Sequence, residues 1–253
     1  MTPRHTIPAV EKTLRLLQLL AEDGEAASAP QLARELGISP STTYRILQTL
    51  VAQDWLQPVA GGRFAFSSGI FPLLQPLADY QSLFEHLKFP LAQLVETTAL
   101  TAKISIKQGT EAITVYRMES PRGLSPSSKV GARFHLAYGS SGACLLAGWE
   151  DAEIRAALAA APAPVWRLQE PEDVWRRIRA ARKAGSCYDP GQFQTPVHGV
   201  SAPVFGRDGG IFAALTLVGW AEDFKGARQR QLEAAVRDCA ARCSAQLARR
   251  EAA

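Results

Sequence analysis

Apolar residues recur at helical spacing near the start of the chain. Val10, Leu14, Leu17 and Ala21, with Thr13, Leu16 and Leu20 beside them, predict an amphipathic helix whose stripe faces a core. Glu22-Asp23-Gly24-Glu25 is a polar stop. Ser28 then suits the N-cap of a short second helix, with Pro30 in its first turn and Leu32, Ala33 and Leu36 inward. Gly37 stands where an abrupt helix end needs a positive φ. Ser39-Pro40 opens a third helix in the same way. There Thr43, Ile46, Leu47 and Leu50 form the inward stripe, and Ser41, Tyr44, Arg45 and Gln48 share an outward one. Trp55–Val59 and Arg63–Phe66 flank Ala60-Gly61-Gly62, the pattern of a β-hairpin with Arg63 near its tip. Helix, helix, turn, helix and hairpin in this order read as a winged helix-turn-helix over residues 1–68.

Downstream, the prolines at 72 and 76 among Ile70, Phe71, Leu73, Leu74 and Leu77 predict a perturbed helical linker over 69–81. A longer helix is expected over Ser82–Thr97. From Thr101 the period becomes two, predicting strands over 101–106 and 112–117 around Gly109. Helices are expected over 140–147, 151–160, 172–184 and 227–249, with a hairpin of 200–205 and 211–218 around Arg207-Asp208-Gly209-Gly210. Strands and helices segregate, so residues 82–253 read as an α+β domain built on a central antiparallel sheet.

Charge changes this picture less than the formal balance of +4 and the pI near 9.0 suggest. Through residue 70, Arg4, Lys12, Arg15, Arg34, Arg45 and Arg63 are matched by Glu11, Glu22, Asp23, Glu25, Glu35 and Asp54, six against six. The positive excess lies entirely downstream, so net charge does not locate a nucleic-acid surface. The third helix does. Its outward face carries a cation, an aromatic ring and small or amide polar groups, with no carboxylate before Asp54. Such a face can enter a major groove and reach both phosphates and base edges. The alternative is a three-helix domain that binds a protein partner.

The N-terminus lacks the apolar core of a secretory signal, and the longest apolar run, Ile211–Ala221, is half the length of a membrane span. A cytoplasmic location with no membrane contact is expected. The four cysteines show no C-x-x-C pair; Cys239 and Cys243 would share a helix face, and free buried thiols are expected rather than a metal site. No nucleotide or metal motif occurs, so no cofactor is expected.

The run from Val10 to Phe66, with Gln31-Leu32-Ala33-Arg34-Glu35-Leu36-Gly37-Ile38 and Ser41-Thr42-Thr43-Tyr44-Arg45-Ile46-Leu47, resembles the IclR family of bacterial regulators. Pro40 departs from it, standing where the family often has a lysine that would add a phosphate contact. The resemblance continues through Val130-Gly131-Ala132-Arg133, Ser141-Gly142, Leu145-Leu146-Ala147, Lys183-Ala184-Gly185 to Asp189, and Ala202-Pro203-Val204-Phe205. It implies a GAF-like effector domain, dimers often paired into tetramers, and a small metabolite, commonly an organic or aromatic acid. The expected DNA contacts are Ser41, Thr42, Tyr44, Arg45, Gln48 and Arg63, on a pseudo-palindromic double-stranded operator. The candidate effector set is Arg133, His135, Tyr138, Ser140, Ser141, Gly142, Asp189, His198, Ser201 and Thr216.

Two physical readings bear on that set. Gly139-Ser140-Ser141-Gly142 precedes an apolar helix, whose free N–H groups and dipole favour a carboxylate; equally, Ser140 or Ser141 could merely cap the helix. Gly199 stands where some family members place a cysteine, and Thr216 and Val218 stand at two serine positions, which makes the site less polar and favours a larger, partly apolar or aromatic acid. Repression is the expected mode of control. Three other outcomes stay open: an activator of the same fold, a regulator that needs no ligand, and a hydrolase using Ser141 with His135, His198 and Asp189. The hydrolase would require a parallel sheet around a strand–elbow–helix.

Overall fold

The computed structural model describes residues 6–75, 78–123, 125–126 and 129–248. The chain divides into two compact units, Met1–Gln81 and Ser82–Ala253.

In the first unit, α1 (Pro8–Asp23), α2 (Ala29–Leu36) and α3 (Pro40–Ala52) precede the hairpin of β2 (Leu56–Val59) and β3 (Arg63–Phe66). Each helix start has the chemistry read from the sequence. Ser28 accepts the Gln31 amide, Ser39 accepts the Thr42 amide, and prolines fill the first turns of all three helices. Gly37 closes α2 at φ 64°, a conformation that costs other residues a Cβ clash. A two-residue strand, β1 (Ala27–Ser28), pairs with β3 and makes the wing three-stranded; two residues carry too little pattern to be foreseen. After the wing come a 3₁₀ turn, Ser68–Ile70, and the single turn α4 (Phe71–Leu74).

The core of this unit is Leu16, Leu20, Leu32, Leu47, Leu50, Leu56 and Phe64. One expectation is corrected here: Val10 and Leu14 do not face it, being 51% and 54% exposed. α1 carries two apolar stripes. The packed one runs through Leu16 and Leu20, and Ile7, Val10 and Leu14 lie on the other.

The second unit is a six-stranded antiparallel sheet in the order β6-β5-β4-β9-β8-β7. Its strands are β4 (Thr101–Gln108), β5 (Glu111–Met118), β6 (Arg133–His135), β7 (Cys187–Gln194), β8 (Val197–Phe205) and β9 (Ile211–Trp220). The helices are α5 (Ala78–Thr98), α6 (Gly139–Leu146), α7 (Asp151–Ala159), α8 (Pro171–Ala184) and α9 (Ala227–Ala248). α5 begins at Ala78, inside the segment expected as linker. β7, which the sequence pattern does not predict, is an edge strand, where Pro190 needs no ladder partner for its missing N–H. Arg4, Pro76, Leu77 and Arg249 lie outside the described residues.

Strand alternation divides the sheet into two faces with different chemistry. Ala102, Ile104, Val200, Ala202, Val204, Ala213, Leu215 and Leu217 pack against Leu87, Leu91 and Leu94 of α5 and Leu232, Val236 and Leu247 of α9. The opposite face carries Thr101, Lys103, Ser105, Thr114, Asp189, Ser201 and Thr216, all buried. By period alone these would face water. They are buried because α6 and α8 cover this side, with Leu145, Leu146, Ile154, Val174 and Ile178 in a second apolar core beside them.

Candidate DNA interface and effector site

On α3 the inward positions Thr43, Leu47 and Leu50 are buried, leaving Ser41, Tyr44, Arg45 and Gln48 exposed together. Tyr44, one residue before Arg45, is a large ring left 55% exposed on this helix. Thr42 belongs partly to the cap. Its hydroxyl receives a hydrogen bond from Ser39 Oγ at 2.8 Å, while its amide donates to the same oxygen at 3.3 Å. Arg63 is exposed at the start of β3, and its Nε donates to the Ala60 carbonyl at 3.3 Å, which holds the side chain across the wing turn. Cations and short polar groups on a helix and an adjoining wing can bind a polyanion, and nothing acidic shares that helix face.

In the second unit the buried polar residues form rows across the sheet. Lys103, Thr216 and Ser201 are neighbours in register on β4, β9 and β8, and Ser201 donates to Ser140 Oγ at 2.8 Å and lies 2.8 Å from Thr216 Oγ1. Asp189, one row on, lies opposite Gly199. Its Oδ1 accepts the Gln192 amide at 2.9 Å and stands 3.9 Å from Arg177 Nη1. Arg177, reaching in from α8, also donates to the side-chain oxygens of Gln169 and Gln192. Burial pushes the Asp189 carboxyl up from its ordinary range, against the opposing pull of Arg177 and the backbone N–H groups of Gln192 and Phe193. Burial lowers Lys103 to about 8, and the Asp189 charge resists this. An aromatic wall adjoins: Phe193 packs on Tyr138 and Phe134 at centroid distances of 4.7 and 5.6 Å, and Lys103 Nζ lies 4.6 Å from the Phe134 centroid.

Of the ten effector candidates, Ser140, Asp189, Ser201 and Thr216 come together in this cluster, and Tyr138 joins its aromatic wall. Ser141 is buried in the first turn of α6. Gly142 serves close packing, since a Cβ there would overlap the Leu136 backbone. His198 is half-buried against Tyr188, its Nδ1 on the phenol oxygen, and burial lowers its pKa. His135 accepts the Ala137 amide on Nδ1 at 3.2 Å. Arg133 is turned to the surface, paired with Glu111 at 3.1 Å and Gln108 at 2.8 Å. Sequence reasoning missed Lys103, Ser105, Thr114, Arg177 and Gln192. Polar residues alternating with apolar ones along β4 resemble a solvent face, and only the cover of α6 and α8 reveals otherwise. Among the described residues no group of three or more His, Cys, Asp or Glu is placed to hold a metal.

A hydrolytic elbow finds no support in this fold. Every strand pairing in the sheet is antiparallel, and α6 begins after a turn following β6. A winged helix-turn-helix joined in one chain to an α+β domain is the architecture of a DNA-binding regulator. Residues 9–60 match the IclR helix-turn-helix domain and residues 76–245 the C-terminal domain of bacterial IclR transcriptional regulators. The chain belongs to the IclR family, whose members are transcriptional regulators rather than enzymes.

The chain is similar to RhmR, an uncharacterized HTH-type regulator of Escherichia coli K12, at 28% identity over 84% of this chain and 83% of that one. It is also similar to the repressor IclR of the same organism, at 20% identity over 84% and 80% of the two chains. Among solved structures, an IclR homologue from Microbacterium hydrocarbonoxydans complexed with 4-hydroxybenzoate superposes with a TM-score of 0.77 at 19% identity, covering 94% of this chain and 98% of that one. The IclR of Thermotoga maritima gives 0.76 at 17% identity, over 96% and 100%. No helix among the described residues is long and apolar enough to cross a membrane.

Proposed function

We propose that this DNA-binding regulator represses transcription from a pseudo-palindromic operator and that a small organic acid, held in the second unit, modulates the binding. The observation that carries the reading is the buried polar cluster of Lys103, Asp189, Arg177, Ser140, Ser201 and Thr216 in a chain whose other unit is a winged helix-turn-helix. Residues 1–68 act as the DNA-binding part, 69–81 as the linker and 82–253 as the sensor. Ser41, Thr42, Tyr44, Arg45 and Gln48 contact the major groove, and Arg63 the adjoining backbone. The acid lies among Ser140, Ser141, Asp189, Ser201 and Thr216, with Tyr138 and His198 at the margin; Arg133 pairs with Glu111 and Gln108 at the surface, His135 holds the Ala137 amide, and Gly142 lets α6 approach the Leu136 backbone. Repressors among the relatives support the mode of control, and the 4-hydroxybenzoate complex of a structural neighbour supports an acid of that size. The working form is a homodimer, alone or paired with another.

Footprinting and a thermal-shift screen against carboxylic acids test this together, because a ligand of the folded state raises its melting temperature. Arg45→Ala should weaken operator binding at least tenfold, the worth of one lost cationic contact of about 1.4 kcal/mol, and leave the acid-induced thermal shift intact. A wild-type footprint from Arg45→Ala would remove that residue from the interface.

A further inference from the structure

The polar cluster of the second unit is closed to solvent. Ser140, Asp189, Ser201 and Thr216 are each 4% exposed or less, so a ligand reaches them only when part of the cover moves. Among the described residues, α6, α8 and the part of β7 beyond Asp189 lie over the cluster. The two helices are anchored by apolar packing. Leu145 and Leu146 of α6 and Val174 and Ile178 of α8 are buried, and lifting either helix brings that core into water. The third piece has no such anchor.

β7 pairs with β8 at Asp189 and Gly199 and again at Gln194 and Val197, so the four residues 190–193 stand opposite His198 alone. They form a bulge on an edge strand, left out of the ladder. Gly191 turns it at φ 85°, a conformation that a side chain would strain. Side chains hold the bulge down where the ladder does not. Asp189 Oδ1 accepts the Gln192 amide at 2.9 Å, and the Phe193 amide donates to the same carboxyl group. The Gln192 side-chain oxygen accepts from Arg177 Nη1. The Phe193 ring rests on Tyr138 and Phe134, and its Cβ lies 3.8 Å from where a Gly139 Cβ would stand, at the turn of α6 that carries Ser140. Phe193 is still 38% exposed. Water can replace these few hydrogen bonds, and one half-buried ring is less to expose than four buried aliphatic side chains, so the bulge gives way before the helices do.

We infer that residues 190–193 are the gate to the polar cluster, with Phe193 as its stopper. The bulge swings outward about Gly191 while α6 and α8 stay packed, and the bonds of Asp189 and Arg177 to Gln192 latch it shut. The inference rests on the reading of the cluster as the ligand site, and its test uses no ligand, so the two can fail separately.

The test places a reporter behind the gate. Ser201→Cys exchanges one buried oxygen for sulfur, and its alkylation by iodoacetamide, read by peptide mass spectrometry of the full chain, measures entry. Cys239 and Cys243, packed on the other side of the sheet, measure general loosening in the same sample. Adding Phe193→Ala should speed labelling at position 201 at least tenfold and leave Cys239 and Cys243 at their former rates, while Phe193→Tyr keeps the slow rate. An unchanged rate at position 201 in the Phe193→Ala background would overturn the gate. So would an acceleration shared equally with Cys239 and Cys243, because that is unfolding rather than opening. Hydrogen exchange of the unaltered chain is the second measurement: the Gln192 and Phe193 amides should exchange at least tenfold faster than those of Leu146 and Ile178, and equal protection would also overturn the gate. Failure of every acid in the thermal-shift screen would overturn the sensor reading and leave these rates as they are.

Discussion

Lys103 shows how the burial of a single charge ties stability to pH. Its folded-state pKa of about 8 lies below the ordinary 10.5, because burial disfavours the ammonium and Asp189 on β7 only partly offsets this. Between those values the unfolded chain holds more protons than the folded one, so stability rises as pH climbs from about 8 to 10.5. Below about 8 the full cost of the buried charge is present. Urea denaturation across this window should show ligand-free wild type gaining on Lys103→Met by up to about 3 kcal/mol, and a constant difference between the two would refute the buried ammonium. At this scale the sequence was readable where one residue has one local job. Ser28, Ser39, Gly37 and Arg63 all sit where their chemistry put them. It was unreadable at Lys103, Ser105 and Arg177, whose surroundings come from segments far apart in the chain.

Elements were legible in proportion to their length and pattern. The long helices and β4, β5, β8 and β9 follow from periodicity, whereas β1 and β6 are too short to carry any and β7 hides behind Pro190-Gly191. α1 is the instructive element, because its type was plain and its orientation was not. A helix with apolar residues on two sides offers two ways to face a core, and local spacing cannot choose between them. The packed side is that of Leu16 and Leu20, which leaves Ile7, Val10 and Leu14 at i, i+3 and i+7, the spacing of a helix seam awaiting a partner. For the homodimer proposed above, this exposed stripe is the candidate contact to test. Leu14→Glu should therefore lower dimer affinity at least tenfold by sedimentation with little loss of monomer stability, since Leu14 is outside the core. Unchanged sedimentation would place the dimer contact elsewhere.

For the whole molecule, the separation of charge from DNA-binding chemistry has a measurable result. The head is neutral, so long-range attraction to DNA is small and the contacts themselves must supply the electrostatic term. With Arg45 and Arg63 from each of two copies, about four phosphates are neutralised, and log K should fall with log salt at a slope of roughly −4. Fluorescence anisotropy between 50 and 300 mM salt, a range of about the kind that resolves such slopes, checks this; a slope twice as steep would bring in Arg4, Lys12 or Arg15. The coupling that an effector must deliver is modest, on the order of 1–3 kcal/mol, which changes operator occupancy about tenfold or more.

All four cysteines are buried thiols, and they fall into two pairs in different layers. Cys144 of α6 and Cys187 of β7 touch at 3.6 Å on the polar side of the sheet, whereas Cys239 and Cys243 lie in α9 on the other. Burial raises the Cys144 pKa far above its usual range, so an alkylating reagent must wait for α6 to part from β7 before it can react. The molecule thereby carries two internal clocks. The first runs on the opening of the sensor's cover and the second on the opening of its scaffold, and a bound acid should slow the first far more than the second.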